Sequence, residues 1–458
     1  MVNNCPECLK KQRRIDELTE EIARLRTKLS IQERKMKEGA FGSSTPSSQV
    51  PVKPNTEEGE KKKRGARPGH QGHSRKKFDE TEADSVIDLE PEWTTCPQCG
   101  GELQNKGLEQ RLAVEAMPLQ PQKVLDRLPK RYCPHCRRTF RAKPPGLLSK
   151  SLFGNQLIAN VVEAHYLHGI PMGRICEQTG LGPGALVEIF QRLARLFKDA
   201  PHQLLDEYRP GPVKQADETS WRTGGKNGHV WLFATPQISI FQFGQNRSAA
   251  VPKAAFGSAR LPGVLVVDRY AAYNKVPCEI QYCYAHLLRD ITDLEKNFPD
   301  DLEVKRFVGT AAPLLSLAMG LRSQDITEAA FAEKAARLKA DIEAVMDSPA
   351  QHLAIRHIQD IFRENRGRLY HWAADRRVPA ENNLAERDLR PSVITRKVSF
   401  GSATDAGARV RSVLTTVVAT LKKRQGNVAV HLKKVLDILA HDIQQNPYPL
   451  LFPQHPPP

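Results

Sequence analysis

The segment PGVLVVD, residues 262–268, sets the strongest limit on the fold. Its apolar run lies between a Pro-Gly pair and an acid, which predicts a short strand buried on both faces. Such a strand needs helices on both sides of its sheet. Strand patterns also precede it (VKQAD, GHVWLFAT, ISIFQF) and follow it (EIQYCYAH). We therefore expect residues 206–400 to form an α/β domain.

Length and charge indicate several domains and a polyanionic partner. The 458 residues are too many for one compact core. Lys and Arg total 68 against 52 for Asp and Glu, which gives a formal charge of +16. Nucleic acid is favoured over a membrane surface, because the sequence contains no membrane-length apolar run and no signal-peptide pattern. Paired cysteines favour metal binding in a reducing cytoplasm over disulfides.

Residues 1–40 carry a heptad stripe that predicts a coiled coil and hence a homo-oligomer. An alternative is a single amphipathic helix folded back on its own domain. Cys5 and Cys8 fit incidental thiols or half of a shared metal site equally well. The stripe consists of Ile15, Leu18, Ile22, Leu25, Leu29, Gln32 and Met36.

Residues 41–90 have the Ser, Pro and Gly content of a disordered linker. The linker includes KKKRGARPGHQGHSRKK, with eight Lys or Arg between Lys61 and Lys77 and no acid. Such a segment attracts DNA phosphates without needing a fixed structure, although a solvated basic tether is the alternative. The candidate DNA contacts here are Lys61, Lys62, Lys63, Arg64 and Arg67.

Two Cys-x-x-Cys pairs mark residues 91–150 as a zinc ribbon. Cys96 and Cys99 form the first pair, and Cys133 and Cys136 form the second. Four thiolates suit a closed tetrahedral Zn²⁺ site with a structural role. Strand-like residues on both sides of the second pair suggest a hairpin there.

Residues 151–205 read as helix, glycine-containing turn and helix. This order is compatible with a helix-turn-helix whose recognition helix runs from Ala185 to Lys198. Helix pairs of this kind are also common without DNA.

Three acids are candidate metal ligands within residues 206–400. Asp217 ends the strand pattern VKQAD, Asp268 ends PGVLVVD, and Glu386 lies in ENNLAERDLRP, which we expect to be a short helix ended by Pro391. A strand order that places the first and fourth strands side by side brings the two aspartates together. Three such carboxylates can hold two divalent ions around a phosphodiester. Strand-end capping and a surface ion pair are the simpler explanations.

Other features of this region leave choices open. The helical stretch of about 302–377 is too long for a loop and predicts an inserted helical subdomain. Glu218 and Glu381 are neighbouring acids that could be taken for the metal ligands in place of Asp217 and Glu386. Arg390, Arg396 and Lys397 are candidate phosphate contacts, with a solvated basic face as the alternative. Residues 401–458 predict two covering helices and a Pro-rich tail.

Five blocks resemble a known family of mobile-element proteins. In order they are ADET, DRYAAY, YCYAHLLR, NNLAERDLRP and RKVSFGS. They resemble bacterial insertion-sequence transposases of the DDE class, in particular the insertion sequence sixty-six family, over nearly the whole chain. The departures are Glu381 where the family usually has Asp, Arg269 where it often has Gly, and Leu288 where it often has Arg.

The resemblance implies a multidomain α/β fold with a ribonuclease-H-like core and a helical insertion. It implies that Asp217, Asp268 and Glu386 bind two Mg²⁺ or Mn²⁺ ions, and that His286 belongs to a Cys-x-x-His motif beside them. That histidine would orient the scissile phosphate or pack beside the metals, with a buried structural role as the alternative.

The implied activity is DNA transposition by metal-dependent strand cleavage and strand transfer. The implied partners are terminal inverted repeats, target DNA and companion proteins of the same element, in the nucleoid region of a bacterial cytoplasm. A catalytically inactive DNA-binding or assembly protein of a mobile element is the alternative.

Overall fold

The computed structural model describes residues 146–453 continuously. Before them it describes residues 98–99, 121–128, 130–135, 137–141 and 144, together with six positions between 14 and 25. Among the helices described, none is long and apolar enough to cross a membrane.

Within the described residues, seven strands and fourteen α-helices have defined bounds, and they are numbered here in chain order. The strands are β1 (Lys130–Cys133), β2 (Arg138–Arg141), β3 (Val213–Thr223), β4 (Lys226–Thr235), β5 (Ile238–Gln245), β6 (Val264–Val267) and β7 (Glu279–Tyr282). The first helices are α1 (Asn155–Tyr166), α2 (Met172–Thr179), α3 (Pro183–Leu196), α4 (Ala200–Tyr208), α5 (Ala250–Phe256), α6 (Tyr284–Asn297) and α7 (Leu302–Leu321). The remaining helices are α8 (Glu328–Asp347), α9 (Leu353–Glu364), α10 (His371–Ala374), α11 (Asn383–Ser399), α12 (Asp405–Gln425), α13 (Val428–His441) and α14 (Pro447–Leu451).

A five-stranded mixed sheet forms the centre, with the order β5-β4-β3-β6-β7. The strands β3, β4 and β5 are antiparallel neighbours, whereas β6 and β7 run parallel to β3. The sequence predicts that the first and fourth strands of the α/β domain are neighbours. These strands are β3 and β6, and their parallel pairing confirms the prediction. The strand β3 is longer than expected, because it continues past Asp217 to Thr223 along its antiparallel partner β4.

Helices cover both faces of the sheet, as the buried run in β6 requires. On one face, a cluster that includes Trp221, Leu232 and Phe243 packs against α11 and α12. On the other face, Phe233 contacts Tyr208 of α4 and Phe256 of α5 in edge-to-face geometry. The sheet is therefore the middle layer of the domain.

The helix α12 covers the edge strand β5 through its hydroxyl groups. Ser412, Thr416 and Thr420, spaced one helical turn apart, lie along one face of α12. Their side-chain oxygens accept hydrogen bonds from the backbone N–H groups of Phe243, Phe241 and Ser239, at 2.8, 2.9 and 3.1 Å. An uncovered edge strand would expose unpaired N–H groups to other chains.

A helical insertion separates β7 from α11, as the sequence predicts for about residues 302–377. It contains α7, α8, α9 and α10. The chain leaves the sheet and returns at neighbouring points, since the backbone N–H of Tyr284 donates to the carbonyl of Ala380 at 2.7 Å.

The expectation that Pro391 ends the following helix is wrong. The helix α11 continues through Pro391 to Ser399. A proline inside a helix leaves the carbonyl four residues earlier without its usual donor. Both Pro391 and Arg387 are exposed, so water can satisfy that carbonyl.

The segments before the sheet are described in part. The strands β1 and β2 pair antiparallel, with Cys133 opposite Arg138, so the hairpin expected at the second cysteine pair is present. Cys99 is exposed. Cys96, Cys136 and the side chain of Cys133 lie outside the described part, so the zinc ribbon stays a prediction.

Three regions are expected to bind DNA or another copy of the chain, and the structure describes the first of them, residues 151–205, completely. There the helices α2 and α3 flank Gly180, which has a φ of 69°, so the predicted order of helix, glycine-containing turn and helix is present, and its role in DNA binding stays a prediction. The described stripe residues Leu18, Ile22 and Leu25 are helical and exposed. The other stripe residues and the basic segment of residues 61–77 lie outside the described residues, so the coiled coil stays a prediction.

Replacing Thr416 with Val should destabilise the protein. The change removes a hydroxyl that accepts from the Phe241 N–H, and burying that donor without a partner costs about 1–3 kcal/mol. Chemical unfolding of the full chain measures this loss. Thr415→Val is the matched control, because the buried Thr415 hydroxyl has no described partner, and its effect should stay within about 0.5 kcal/mol. Equal losses in the two variants would contradict the role given to Thr416.

Candidate active site

Asp217 lies on the face of β3 that meets α11. Side chains alternate along a strand, so Gln215, Asp217 and Thr219 share one face. Gln215 accepts from the Ala385 N–H at 3.2 Å, and Thr219 accepts from Arg396 at 3.3 Å. Asp217 is therefore held between two contacts to the helix that carries Glu386.

Asp268 follows directly after β6. The parallel register pairs Gln215 with Val266, and continuing it by two residues brings Asp217 level with Asp268. One carboxylate oxygen of Asp268 accepts from the backbone N–H of Tyr270 at 2.9 Å, which fixes the side chain at the strand end.

Glu386 lies in the first turn of α11, and Asn382 anchors that turn. The Asn382 side-chain amide donates to the carbonyl of Ala216 at 2.8 Å, and its backbone N–H donates to the thiol sulfur of Cys283 at 3.2 Å. The backbone N–H of Glu386 donates to the carbonyl of Asn382 at 3.2 Å. The start of α11 is thus attached to β3 and to the residue that precedes α6.

The electrostatics couple the three acids. The pKa of Asp217 is raised well above its ordinary value, first because the group is removed from water and then because of the negative charges of Glu218, Asp268 and Glu386. Its hydrogen bond from the Glu218 N–H opposes the shift. Clustered carboxylates of this kind repel one another until protons or cations neutralise them.

The two alternative acids are in different surroundings. Glu218 is 2% exposed; it accepts hydrogen bonds from Arg247 at 2.9 Å and from Tyr273 at 2.8 Å. Burial and the charge of Asp268 raise its pKa, against these two hydrogen bonds. One oxygen of Glu381 is buried with no described partner, and burial raises the pKa of this carboxyl. Glu218 is thus satisfied by a cation and a phenol, whereas Glu381 is not.

His286 and Cys283 lie beside Glu386. The Nε2 atom of His286 is 4.0 Å from a carboxylate oxygen of Glu386. Burial raises the pKa of the Cys283 thiol to about 12. Among the described residues, Cys283, His286 and Glu386 form the one group of three potential ligands whose donor atoms all lie within 4.8 Å of one another. This group is thus tighter than the set of three acids.

Arg269, which departs from the family pattern, makes an ion pair with Asp290 of α6. Its charge is thus neutralised by a neighbour outside the acid cluster. Leu288, the other departure in this region, packs against the main core.

The predicted phosphate contacts on α11 are in different environments. Arg390 and Lys397 are exposed, as a phosphate contact requires. Arg396 is half-buried and donates to the carbonyl of Ser220 at 2.7 Å.

The sequence did not single out Gln215 or Asn382 as anchors of the site. Their only signal was the polar character of Gln215 inside a strand pattern and the position of Asn382 four residues before Glu386.

The chain belongs to the IS66 transposase family. The family described as Transposase IS66 family matches residues 150–410, more than half of the 458 residues. This match confirms the family indicated by the signature blocks.

Three proteins of Sinorhizobium fredii are also similar, and each bears the name of an uncharacterised protein. Protein y4qI is 22% identical over 61% of this chain and 58% of its own length. Protein y4jD is 22% identical over 73% and 72%, and y4hP is 23% identical over 81% and 75%. The match thus spans less than two thirds of y4qI.

Replacing Asp217 with Asn should stabilise the metal-free protein increasingly as the pH rises. The folded chain holds the Asp217 proton more tightly than the unfolded chain, in which the pKa is about 4. The contribution of this carboxyl is therefore full below that pH and is lost as the pH rises toward the folded value. An asparagine does not ionise, so it avoids this loss.

The measurement is the thermal midpoint of the full chain across a pH series in the presence of a chelator. Glu295→Gln, which changes an exposed acid on α6, is the control and should follow the wild type. A pH-independent difference between Asp217→Asn and wild type would show that this carboxyl is not perturbed.

Proposed function

We propose that this protein is a DDE transposase that cleaves DNA at the ends of an insertion sequence and joins the freed ends to target DNA. The carrying observation is the placement of three acids that are far apart in the sequence: the strand register brings Asp217 level with Asp268, and two buried hydrogen bonds attach the first turn of the Glu386 helix to β3 beside Asp217. Family membership adds support, because a transposase acts on DNA.

The sheet supports a ribonuclease-H-like core. Numbered within the domain, the strand order is 3-2-1-4-5, with the first three strands antiparallel and the last two parallel to the first. In this arrangement one acid lies on the central strand, one at the end of its parallel neighbour, and one on a helix that crosses the same face.

The residues fit hard divalent ions. Asp217, Asp268 and Glu386 offer oxygen ligands, which Mg²⁺ or Mn²⁺ prefers, and burial together with the charges of neighbouring acids raises the pKa of Asp217. These three residues would hold two such ions. When bound, the ions would supply a lowered pKa for a water molecule and neutralise charge on the reacting phosphate.

The chemistry then follows in two balanced steps. Water attacks the phosphorus at the element's end, the P–O3′ bond breaks, and the leaving oxygen is released as a 3′-hydroxyl. That hydroxyl next attacks a phosphodiester of target DNA, forming a new P–O bond and displacing a target 3′-hydroxyl. Asn382 and Gln215 keep Glu386 opposite Asp217, while His286 contributes to orienting the scissile phosphate, and Arg390 and Lys397 bind neighbouring phosphates.

The predicted segments outside the sheet complete the proposal. The heptad stripe of residues 1–40 would bring copies together, so that two element ends can be joined in one complex. The four ribbon cysteines would hold a structural Zn²⁺ ion. Companion proteins of the same element are further partners suggested by the resemblance.

Asp217→Asn and Glu386→Gln should each lower Mg²⁺-dependent cleavage of a DNA end bearing the element's inverted repeat. We expect losses of at least about 10²–10³-fold, the scale of removing one preorganised electrostatic group from an active site. Glu381→Gln is the matched control, because it changes the neighbouring acid, and it should retain activity. If Glu381→Gln lost activity and Glu386→Gln kept it, the ligand assignment would move to Glu381.

Replacing Lys61, Lys62, Lys63, Arg64 and Arg67 with Ala should weaken DNA binding equally for all sequences. The slope of log affinity against log salt is negative, and each lost phosphate contact reduces its magnitude by about 0.9, so the magnitude should fall by up to about 4.5. Binding titrations over a salt series measure this. Arg64→Lys/Arg67→Lys keeps the charge and should keep the slope. An unchanged slope in the alanine variant would identify the segment as a solvated tether.

A further inference from the structure

Cys283, His286 and Glu386 bring a sulfur, a nitrogen and an oxygen donor together. Cys283 is the residue before α6, His286 is in the first turn of α6, and Glu386 is in the first turn of α11. Their donor atoms all lie within 4.8 Å of one another. This mixed donor set differs chemically from the oxygen ligands of the three acids.

The His286 ring supplies a second observation. Its Nδ1 atom is buried and has no hydrogen-bond partner among the described groups, whereas its Nε2 atom lies 4.0 Å from Glu386. Buried polar atoms are normally paired, so an orphaned ring nitrogen needs an explanation. A cation bound to Nδ1 would give this atom a partner. If the ring turned, Nε2 would take the place of Nδ1 and would bind the cation instead.

Donor chemistry selects the ion. Thiolate and imidazole ligands favour Zn²⁺ and similar transition ions, whereas Mg²⁺ favours oxygen. Tetrahedral zinc bonds of about 2.0–2.3 Å place the ligand atoms about 3.3–3.8 Å apart. The present spacing is within 4.8 Å, so closing the site needs only a small shift. Both His286 and Glu386 have side chains that are 31% exposed, which leaves them room to move.

We propose that Cys283, His286 and Glu386 bind a thiophilic divalent ion of the Zn²⁺ class, at a site that competes for Glu386 with the hard ions held by the three acids. The three ligands leave a fourth coordination position for water or another group. Because Glu386 belongs to both ligand sets, occupancy of this site withdraws it from Asp217 and Asp268. The binding itself does not depend on the proposed transposase activity, whereas the resulting inhibition rests on it.

The test uses the metal-free, reduced full-length chain titrated with Co²⁺ as the probe. Binding is followed by the near-ultraviolet sulfur-to-cobalt charge-transfer band and by equilibrium dialysis with elemental analysis. Cys283→Ser is the informative variant, because a serine oxygen can still accept the Asn382 N–H but is a poor ligand for this ion. Cys278→Ser is the control, since Cys278 is a half-buried thiol outside the cluster.

We expect Cys283→Ser to lose the charge-transfer intensity of one thiolate–Co²⁺ bond relative to wild type and Cys278→Ser to match wild type. The predicted ribbon cysteines contribute equally to this band in all three proteins, and the oxygen ligands of the three acids do not contribute to it, so the difference isolates the new site. Equal band intensity at saturation in Cys283→Ser and wild type would overturn the proposal. Thermal unfolding verifies that the variants are folded.

If Cys283→Ser fails to fold, His286→Gln and Glu386→Gln replace it, because both positions are partly exposed. Each should then lower Co²⁺ affinity at this site by at least about tenfold, and wild-type affinity in both would overturn the proposal. In cleavage assays, Zn²⁺ should inhibit wild type in the presence of Mg²⁺ but should not inhibit Cys283→Ser. Absence of any cleavage by wild type would contradict the proposed function, whereas the Co²⁺ titration would still decide whether the ion binds at these three residues.

Discussion

The attachment of α11 to β3 is the interaction on which the candidate site depends. Asn382 donates to the carbonyl of Ala216, and Gln215 accepts from the Ala385 N–H. These hydrogen bonds cross more than 160 residues of sequence, and they lie directly beside Asp217 and Glu386. Because both are buried, water does not compete for them. They fix the distance between a strand and a helix that no local sequence signal connects.

The candidate site holds three acidic side chains in a fixed arrangement although their negative charges repel one another. Packing and hydrogen bonds hold three acids near one another, although burial and then the neighbouring negative charges raise the pKa of Asp217 and disfavour its ionisation. Such an arrangement stores unfavourable energy that a divalent ion would release. Glu218, on the other face of β3, is stabilised by Arg247 and Tyr273. Burial raises the pKa of both neighbouring acids, but of the two only Glu218 has a cation and a phenol as hydrogen-bond partners.

The sequence predicted the sheet better than it predicted the site. Apolar runs bounded by turn residues identified the strands, and the adjacency of the first and fourth strands is confirmed. The length of β3 was missed, because its second half is polar and is held by pairing with β4. The continuation of α11 past Pro391 was missed, because the exposure of that turn depends on tertiary packing. The attachment by Asn382 and the sulfur contact of Cys283 are long-range contacts, and no periodicity reports them.

The close return of the helical insertion has a consequence for evolution. The backbone N–H of Tyr284, at the start of α6, donates to the carbonyl of Ala380, just before α11. The intervening segment of about a hundred residues therefore begins and ends at neighbouring points. Lengthening or exchanging the helices between these two residues need not move β3, β6 or the first turn of α11, which carry the three acids. Related proteins could therefore acquire different insertions while keeping the same candidate site.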